Sequence, residues 1–211
     1  MAIVWPCTLS VDAYAAAGRD VEIPRAHCPS CLEPMVLWSG YSRFVRHEGI
    51  AHKIWIPRGL CAPCGGTHAL LPAFVARNRL DSIETIGAAL ESVTSGETGV
   101  RPAADLLGVP HTTVRGWVRR FGRRSHSLAV SFAALAVELG GAALTPLPEP
   151  RHGALAAMRA AWKKAARALP GWLTVSLWRF CSAVCGATLI ATNTNSPYLV
   201  VGRRRFMPPV G

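Results

Sequence analysis

Cys28-Pro29-Ser30-Cys31 and Cys61-Ala62-Pro63-Cys64 are two Cys-x-x-Cys pairs separated by 29 residues. A pair with this spacing grips one ion from a tight turn. Two such turns side by side supply four thiolates, the tetrahedral set that Zn²⁺ prefers. A four-ligand site is closed and leaves no position for water or substrate. The spacing therefore predicts one structural zinc ion on Cys28, Cys31, Cys61 and Cys64, and no zinc catalysis. Between the pairs lie short apolar and β-branched runs, Met35–Trp38, Tyr41–Arg46 and Lys53–Ile56, with turn signals at Ser39-Gly40 and Glu48-Gly49. Residues 25–76 read as a small three-stranded zinc ribbon, in which the metal supplies much of the folding energy. The second knuckle continues into Gly65-Gly66, but the first runs into Leu32-Glu33 without a glycine. His27 and His68 flank the quartet and could serve as substitute ligands or as hydrogen-bond donors behind the sulfurs, but surface placement is the expectation.

Downstream, the hydrophobic period changes to that of a helix. Ile83, Ile86, Leu90 and Val93 recur at helical spacing over 81–94, with Asp81 and Glu84 placed as a capping box. Gly96 and Gly99 end that helix. Pro102 opens a short one to Leu107, and Gly108-Val109-Pro110 breaks it. A third helix runs from His111 to Phe121 and begins with Thr112 and Thr113. Ala104 is small where a second helix would cross, and Gly108 sits where the turn needs positive φ or close approach. Val114, Trp117, Val118 and Phe121 make an inner face. Thr112, Arg115, Gly116 and Arg119 make an outer one. Arginine can bond guanine bidentately, and a threonine methyl can touch thymine. Arg119, Arg120, Arg123 and Arg124 have no acid nearby and suit phosphates. Residues 77–124 thus read as a helix-turn-helix unit, with Thr112, Thr113, Arg115, Arg119, Arg120, Arg123 and Arg124 as candidate DNA-binding residues.

The remainder is predicted as an N-terminal arm without a motif (1–24), a helical region (125–190) and a basic tail (191–211) carrying Arg203-Arg204-Arg205. Within the helical region, one apolar helix is expected over 125–144 and a proline-rich link over 144–150. A basic amphipathic helix follows over 153–169 and another helix over 172–190. The fold class is α+β: a small β zinc ribbon, a trihelical unit and a helical basic C-terminal region. Cys181 and Cys185, one helical turn apart, could clamp a second metal with Cys7 or a histidine, but read as small buried residues.

With a formal charge of +11 on 211 residues, the chain favours polyanion partners, nucleic acid before membrane. Residues 125–211 hold most of that excess, with nine basic and two acidic residues. Seven cysteines without a secretory pattern indicate metal binding in a reducing cytoplasm rather than a disulfide scaffold. Neither long apolar stretch suits a membrane span, since Glu138 interrupts one and Arg179 the other. The reading is of a cytoplasmic, nucleoid-associated protein. An enzyme is not expected: after Asp105 only Glu138 and Glu149 are acidic, too few to hold Mg²⁺, and no phosphate loop, nucleophile elbow or His-Glu-x-x-His helix is present.

The motifs Cys28-Pro29-Ser30-Cys31, Ser39-Gly40-Tyr41, Cys61-Ala62-Pro63-Cys64, Thr67-His68-Ala69-Leu70-Leu71-Pro72 and Gly108-Val109-Pro110-His111-Thr112-Thr113 carry a resemblance. Residues 28–124 are similar to the zinc-ribbon and helix-turn-helix region at the N-terminus of bacterial insertion-sequence transposases. The whole chain resembles an uncharacterised actinobacterial family of stand-alone proteins with that architecture. The resemblance implies double-stranded DNA binding at element ends or promoters, as a regulator or mobile-element accessory. It does not carry strand transfer, because the acidic catalytic domain is missing. The alternative reading is an interaction module that docks onto a transposase, recombinase or polymerase.

Overall fold

The computed structural model describes residues 2–143, 145, 147–168 and 174–190. The fold is mixed α and β, with a four-stranded sheet and six helices among these residues. The expected basic tail, 191–211, lies outside them.

The sheet has the order β1-β4-β3-β2, from β1 (Ala2–Trp5), β2 (Val36–His47), β3 (Ile50–Leu60) and β4 (Thr67–Pro72). β2 and β3 form a long antiparallel hairpin, turned by Glu48 and Gly49. Both turn residues have positive φ, the condition that a two-residue turn of matching twist imposes. The turn expected at Ser39-Gly40 is absent. These residues stay in β2 and pair with Arg58 and Pro57, after a register shift between Leu37 and Ser39. The runs 35–38 and 41–46 are therefore one strand. Gly40 is needed for close approach rather than for a turn, because a Cβ there would lie 2.4 Å from the Trp55 ring.

The segment 1–24 is more than an arm. Its first strand pairs in parallel with β4, Ala2 opposite Ala69 through Trp5 opposite Pro72. It continues into α1 (Val11–Ala17), whose Ser10 cap accepts from the Ala13 N–H. Ile3, Val4, Trp5, Val11 and Tyr14 are all buried. Tyr14 meets Phe74 edge-on at 5.1 Å and donates its hydroxyl to the Trp55 carbonyl at 2.9 Å.

The helices are α2 (Ile83–Ser95), α3 (Val100–Leu106), α4 (His111–Glu138), α5 (Pro150–Ala168) and α6 (Leu177–Val184). Ser82, not Asp81, caps α2: its hydroxyl accepts from the Thr85 N–H, while Asp81 bonds Arg46. The helices expected over 111–121 and 125–144 are one 28-residue helix, α4. Gly122 is the sole breaker between them, and a lone glycine costs a helix only about 1 kcal/mol. Buried Val114, Trp117, Phe121, Leu128 and Phe132 hold its inner face along that length. α5 packs on α4 through small residues, Ala154, Ala157, Ala161 and Ala165. Arg151 lies against Gly122 and Lys164 donates to the Gly140 carbonyl, so the two helices run in the same direction. α6 is shorter than the 172–190 expected, beginning at the Ser176 cap and passing into turns at Cys185.

The hairpin tip is fastened to the helices. Arg46 Nε donates to Asp81 Oδ1 at 2.7 Å, and the backbone of Arg46 bonds both Leu80 and Ser82. His47 Nδ1 lies 2.9 Å from the Ser82 hydroxyl. Buried Arg179, on α6, ties α2 to the segment after β1 by donating to Glu84 and to the carbonyls of Cys7 and Leu9. The cysteine-bearing sheet and the helices thus share one core.

Gly87 shows how tight that core is. A Cβ there would stand 2.2 Å from the ring of Trp178, itself 6% exposed. Gly87→Ala gains about 1 kcal/mol of helix propensity. Overpacking costs about 1–3 kcal/mol and wins, because a ring so enclosed cannot retreat. A lowered urea midpoint is the expected result.

Candidate metal centre and the exposed face of α4

The two Cys-x-x-Cys turns are built alike. Cys28 N–H donates to the Glu33 carbonyl at 2.8 Å, and Cys61 N–H to the Gly66 carbonyl at 2.9 Å. The residue after each second cysteine is left-handed: Leu32 and Gly65 both have φ of 65°. The first turn therefore adopts the glycine geometry with a leucine. Left-handed backbone costs an L-residue about 1–2 kcal/mol, whereas glycine adds about 0.4–1 kcal/mol of unfolded-chain entropy. Leu32 is exposed and loses little packing on truncation. Leu32→Gly is expected to raise stability by about 0.5–1 kcal/mol, read as the denaturant midpoint of metal-loaded protein.

The turns bring all four sulfurs together, their ligand atoms within 4.8 Å of one another. Cys28 Sγ is 3.6 Å from Cys64 Sγ, and Cys31 Sγ is 3.3 Å from Cys61 Sγ. Cys28 and Cys61 are buried, while Cys31 and Cys64 face outward. Burial pushes the Cys28 thiol up, but the backbone N–H groups of Cys31 and Ser30, aided by neighbouring thiols, outweigh it and bring it to about 5. A backbone N–H of Cys64 favours the Cys61 thiolate, yet burial and the three nearby sulfurs push it to about 12. Four crowded thiolates repel one another, and a bound cation lets all four ionise together. The cluster can hold a metal ion.

His27 is exposed as expected, but His68 is not: it is 4% exposed and its Nε2 lies 3.7 Å from Cys28 Sγ. It stands on β4, where its backbone pairs with Gly59, and its ring meets the Cys28 sulfur within hydrogen-bond reach. Its place beside a cluster sulfur is the alternative its flanking position offers, whereas its burial on β4 is not visible in the turn chemistry around Cys61–Cys64. Cys181 and Cys185 are buried, and burial pushes Cys185 up to about 12. They join no further metal cluster among the described residues.

α4 presents the other candidate residues. Val109 N–H donates to the Ala104 carbonyl at 3.0 Å, closing the turn after α3, and Gly108 takes φ of 61°. Val114, Trp117, Val118 and Phe121 are buried, so the opposite face is turned outward. Thr112, Arg115, Arg119 and Arg123 are exposed there, and Thr113 is half-buried. Among the described residues none of these three arginines has a carboxylate partner. Arg120 is half-buried and donates back to the Gly116 carbonyl. Arg124 departs from the sequence reading: its Nη1 donates to the carbonyls of Thr188 at 2.8 Å and Leu189 at 2.9 Å, so it anchors the chain beyond α6.

No helix of the described residues is long and apolar enough to cross a membrane. No curated protein and no solved structure matches the chain. Residues 28–120, less than half of the chain, match a domain of unknown function, DUF6431. The matched stretch starts at the first metal-site cysteine and ends at Arg120, so it spans both the sulfur cluster and the exposed N-terminal half of α4.

Proposed function

We propose that this is a sequence-specific double-stranded DNA-binding protein with one structural zinc ion, acting as a transcription regulator or mobile-element accessory. The observation that carries it is the outward face of α4. Thr112, Arg115, Arg119 and Arg123 stand on one side of a helix whose other side is sealed into the core. A helix of about 10–12 Å diameter fits a major groove about 12 Å wide, and α3 with its tight turn would brace it there. Arg115 and Thr112 would read base edges, while Arg119, Arg120 and Arg123 would neutralise phosphates.

Zinc suits the sulfur cluster. Four sulfurs about 2.3 Å from one tetrahedral ion sit about 3.8 Å apart, close to the 3.6 Å and 3.3 Å pairs seen here. Cys28, Cys31, Cys61 and Cys64 would hold it with no open position, so its role is to cross-link the knuckle before β2 to the knuckle between β3 and β4. No reaction is assigned to the protein, and its place would be the cytoplasm. Binding of metal-loaded protein to duplex should weaken steeply with salt, with a log–log slope near −0.9 per neutralised phosphate. Affinity that does not change with salt would contradict the assignment.

One observation favours a second reading, docking onto a transposase, recombinase or polymerase. Edge strand β2 exposes Val36, Leu37, Trp38, Tyr41 and Phe44 beside a cavity of about 470 Å³ lined by Trp38, Trp55 and Arg19. If docking were the primary role, replacing the α4 arginines would leave partner binding intact.

A further inference from the structure

Two glycines inside α4 have no turn to make. Gly116 and Gly122 each weaken the helix by about 1 kcal/mol relative to alanine. Each instead lies under a guanidinium. A Cβ at Gly116 would sit 2.9 Å from Arg120 Nη1, and one at Gly122 would sit 2.8 Å from Arg151 Nε. The absent side chains let one arginine of α4 and one of α5 lie flat against the helix.

These two arginines occupy opposite flanks. With residues about 100° apart around the helix, Thr112, Gly116, Arg119 and Arg123 form a ridge. Arg120 falls to one side of it and Gly122 to the other. The first flank is a cleft of about 470 Å³ between α4 and the 78–81 segment, lined by Arg46, Arg79, Thr112, Arg119 and Arg120. Asp81 also lines it but is spent on Arg46, at 2.7 Å. The second is a cleft of about 340 Å³ lined by Val100, Arg115, Arg119, Arg123 and Arg151. No acid lines this second cleft.

The first cleft is also electrostatically tense. Burial, together with the charges of Arg79, Arg119 and Arg123, draws the Arg120 guanidinium below its ordinary pKa. The Nε atoms of Arg79 and Arg120 are buried without a hydrogen-bond partner. Arg79 is nevertheless held in place, with its carbonyl bonded by Arg43 and its Nη2 donating to the Ile190 carbonyl at 3.3 Å. Clustered guanidinium groups that line a cleft are relieved by anionic oxygens entering it, and phosphate matches their geometry bidentately.

We propose that the two clefts seat the two phosphodiester backbones that border the major groove, with Arg79 and Arg151 as phosphate ligands on opposite strands. This rests on the DNA-binding reading and adds residues from the 78–81 segment and from α5 to the interface. A ridge entering a groove leaves one strand on each of its flanks, where these clefts lie. The phosphate ligands thus come from three parts of the chain, and the strap that links the sheet to α2 supplies one of them.

The test uses full-length, metal-loaded protein. Duplex affinity is measured between roughly 50 and 200 mM salt on a selected site and on a shuffled duplex. Variants are Arg79→Ala, Arg79→Lys, Arg151→Ala, Arg151→Lys and the double alanine, with metal content and melting temperature as folding controls. Each alanine is expected to flatten the log–log salt slope by about 0.9 and the double by about 1.8, weakening both duplexes by the same factor. Each lysine retains the slope and thereby excludes misfolding as the cause. Slopes unchanged in the alanine variants, or a loss confined to the selected site, overturn the proposal. If wild-type protein binds no duplex at about 50 mM salt, the DNA reading itself fails. Inorganic pyrophosphate then decides the clefts. A rise in melting temperature that Arg79→Ala and Arg151→Ala abolish keeps them as phosphate sites. No rise, or one that survives both variants, ends the inference.

Discussion

Cys61→Ser is expected to lose the bound metal and to lower the melting temperature sharply. Cys61 is buried at the end of β3, and its sulfur stands 3.3 Å from Cys31 Sγ. A serine hydroxyl does not ionise near neutral pH and leaves three ligands for a site that needs four. The free energy at stake is large. Structural zinc in finger peptides is worth about 10–16 kcal/mol in apparent terms, comparable with the whole stability of a domain, about 5–15 kcal/mol. The loss will be smaller than that ceiling here. The sheet is also held by β1, by α1 and by the hairpin tip's bonds to α2. The damage should therefore concentrate in the two knuckles, residues 26–35 and 61–66, which lie outside the paired strands, and appear there as lost hydrogen-exchange protection. Cys181→Ser, buried but far from the quartet in sequence, should keep the metal. Full metal content and an unshifted melting curve in Cys61→Ser would show that the cluster is not a ligand set.

The second large effect is on binding. Arg115→Ala with Arg119→Ala is expected to abolish a duplex gel shift while leaving the fold intact. Both residues are exposed and without a carboxylate partner among the described residues, so their removal costs the fold within about 0.5 kcal/mol. Each good bidentate contact to guanine discriminates by about 1–3 kcal/mol. Losing that contact at Arg115 removes roughly 5-fold to 160-fold of affinity for a specific site, and losing the Arg119 phosphate contact weakens every duplex further. The two arginines differ in kind. Arg115 is assigned to base edges and should take sequence preference with it. Arg119 lines both clefts and should also flatten the salt dependence. Unaltered binding by the double variant would move the interface elsewhere, with the apolar face of β2 as the next candidate.

Chemistry with short-range rules was legible in the chain. Each Cys-x-x-Cys pair is set by its own local turn, and the β2–β3 hairpin returns the second turn beside the first, so four sulfurs meet. The apolar positions Val114, Trp117, Val118 and Phe121 are buried because helical period alone places them on one side. What escaped depends on partners distant in sequence. β1 is a strand because Ala69 to Pro72, over 60 residues on, offer it a parallel edge. Arg124 looks like a phosphate ligand until the carbonyls of Thr188 and Leu189 fold back onto it. His68 is buried by β4 pairing, not by anything in its own motif. Asp81 and Ser82 exchange roles because Arg46 reaches across from the hairpin to take the carboxylate. Gly122 was the one clue in hand: a glycine amid a long apolar period signals a close approach as readily as a break, and here it admits Arg151.

Sequence-specific binding requires that the ridge of α4 read a duplex. The most direct measurement is selection from a random-sequence duplex pool by metal-loaded protein at about 100 mM salt, followed by sequencing. A recurrent motif that Arg115→Ala degrades is the predicted result. A bound pool indistinguishable in sequence from the input, or a motif that survives Arg115→Ala unchanged, would contradict it.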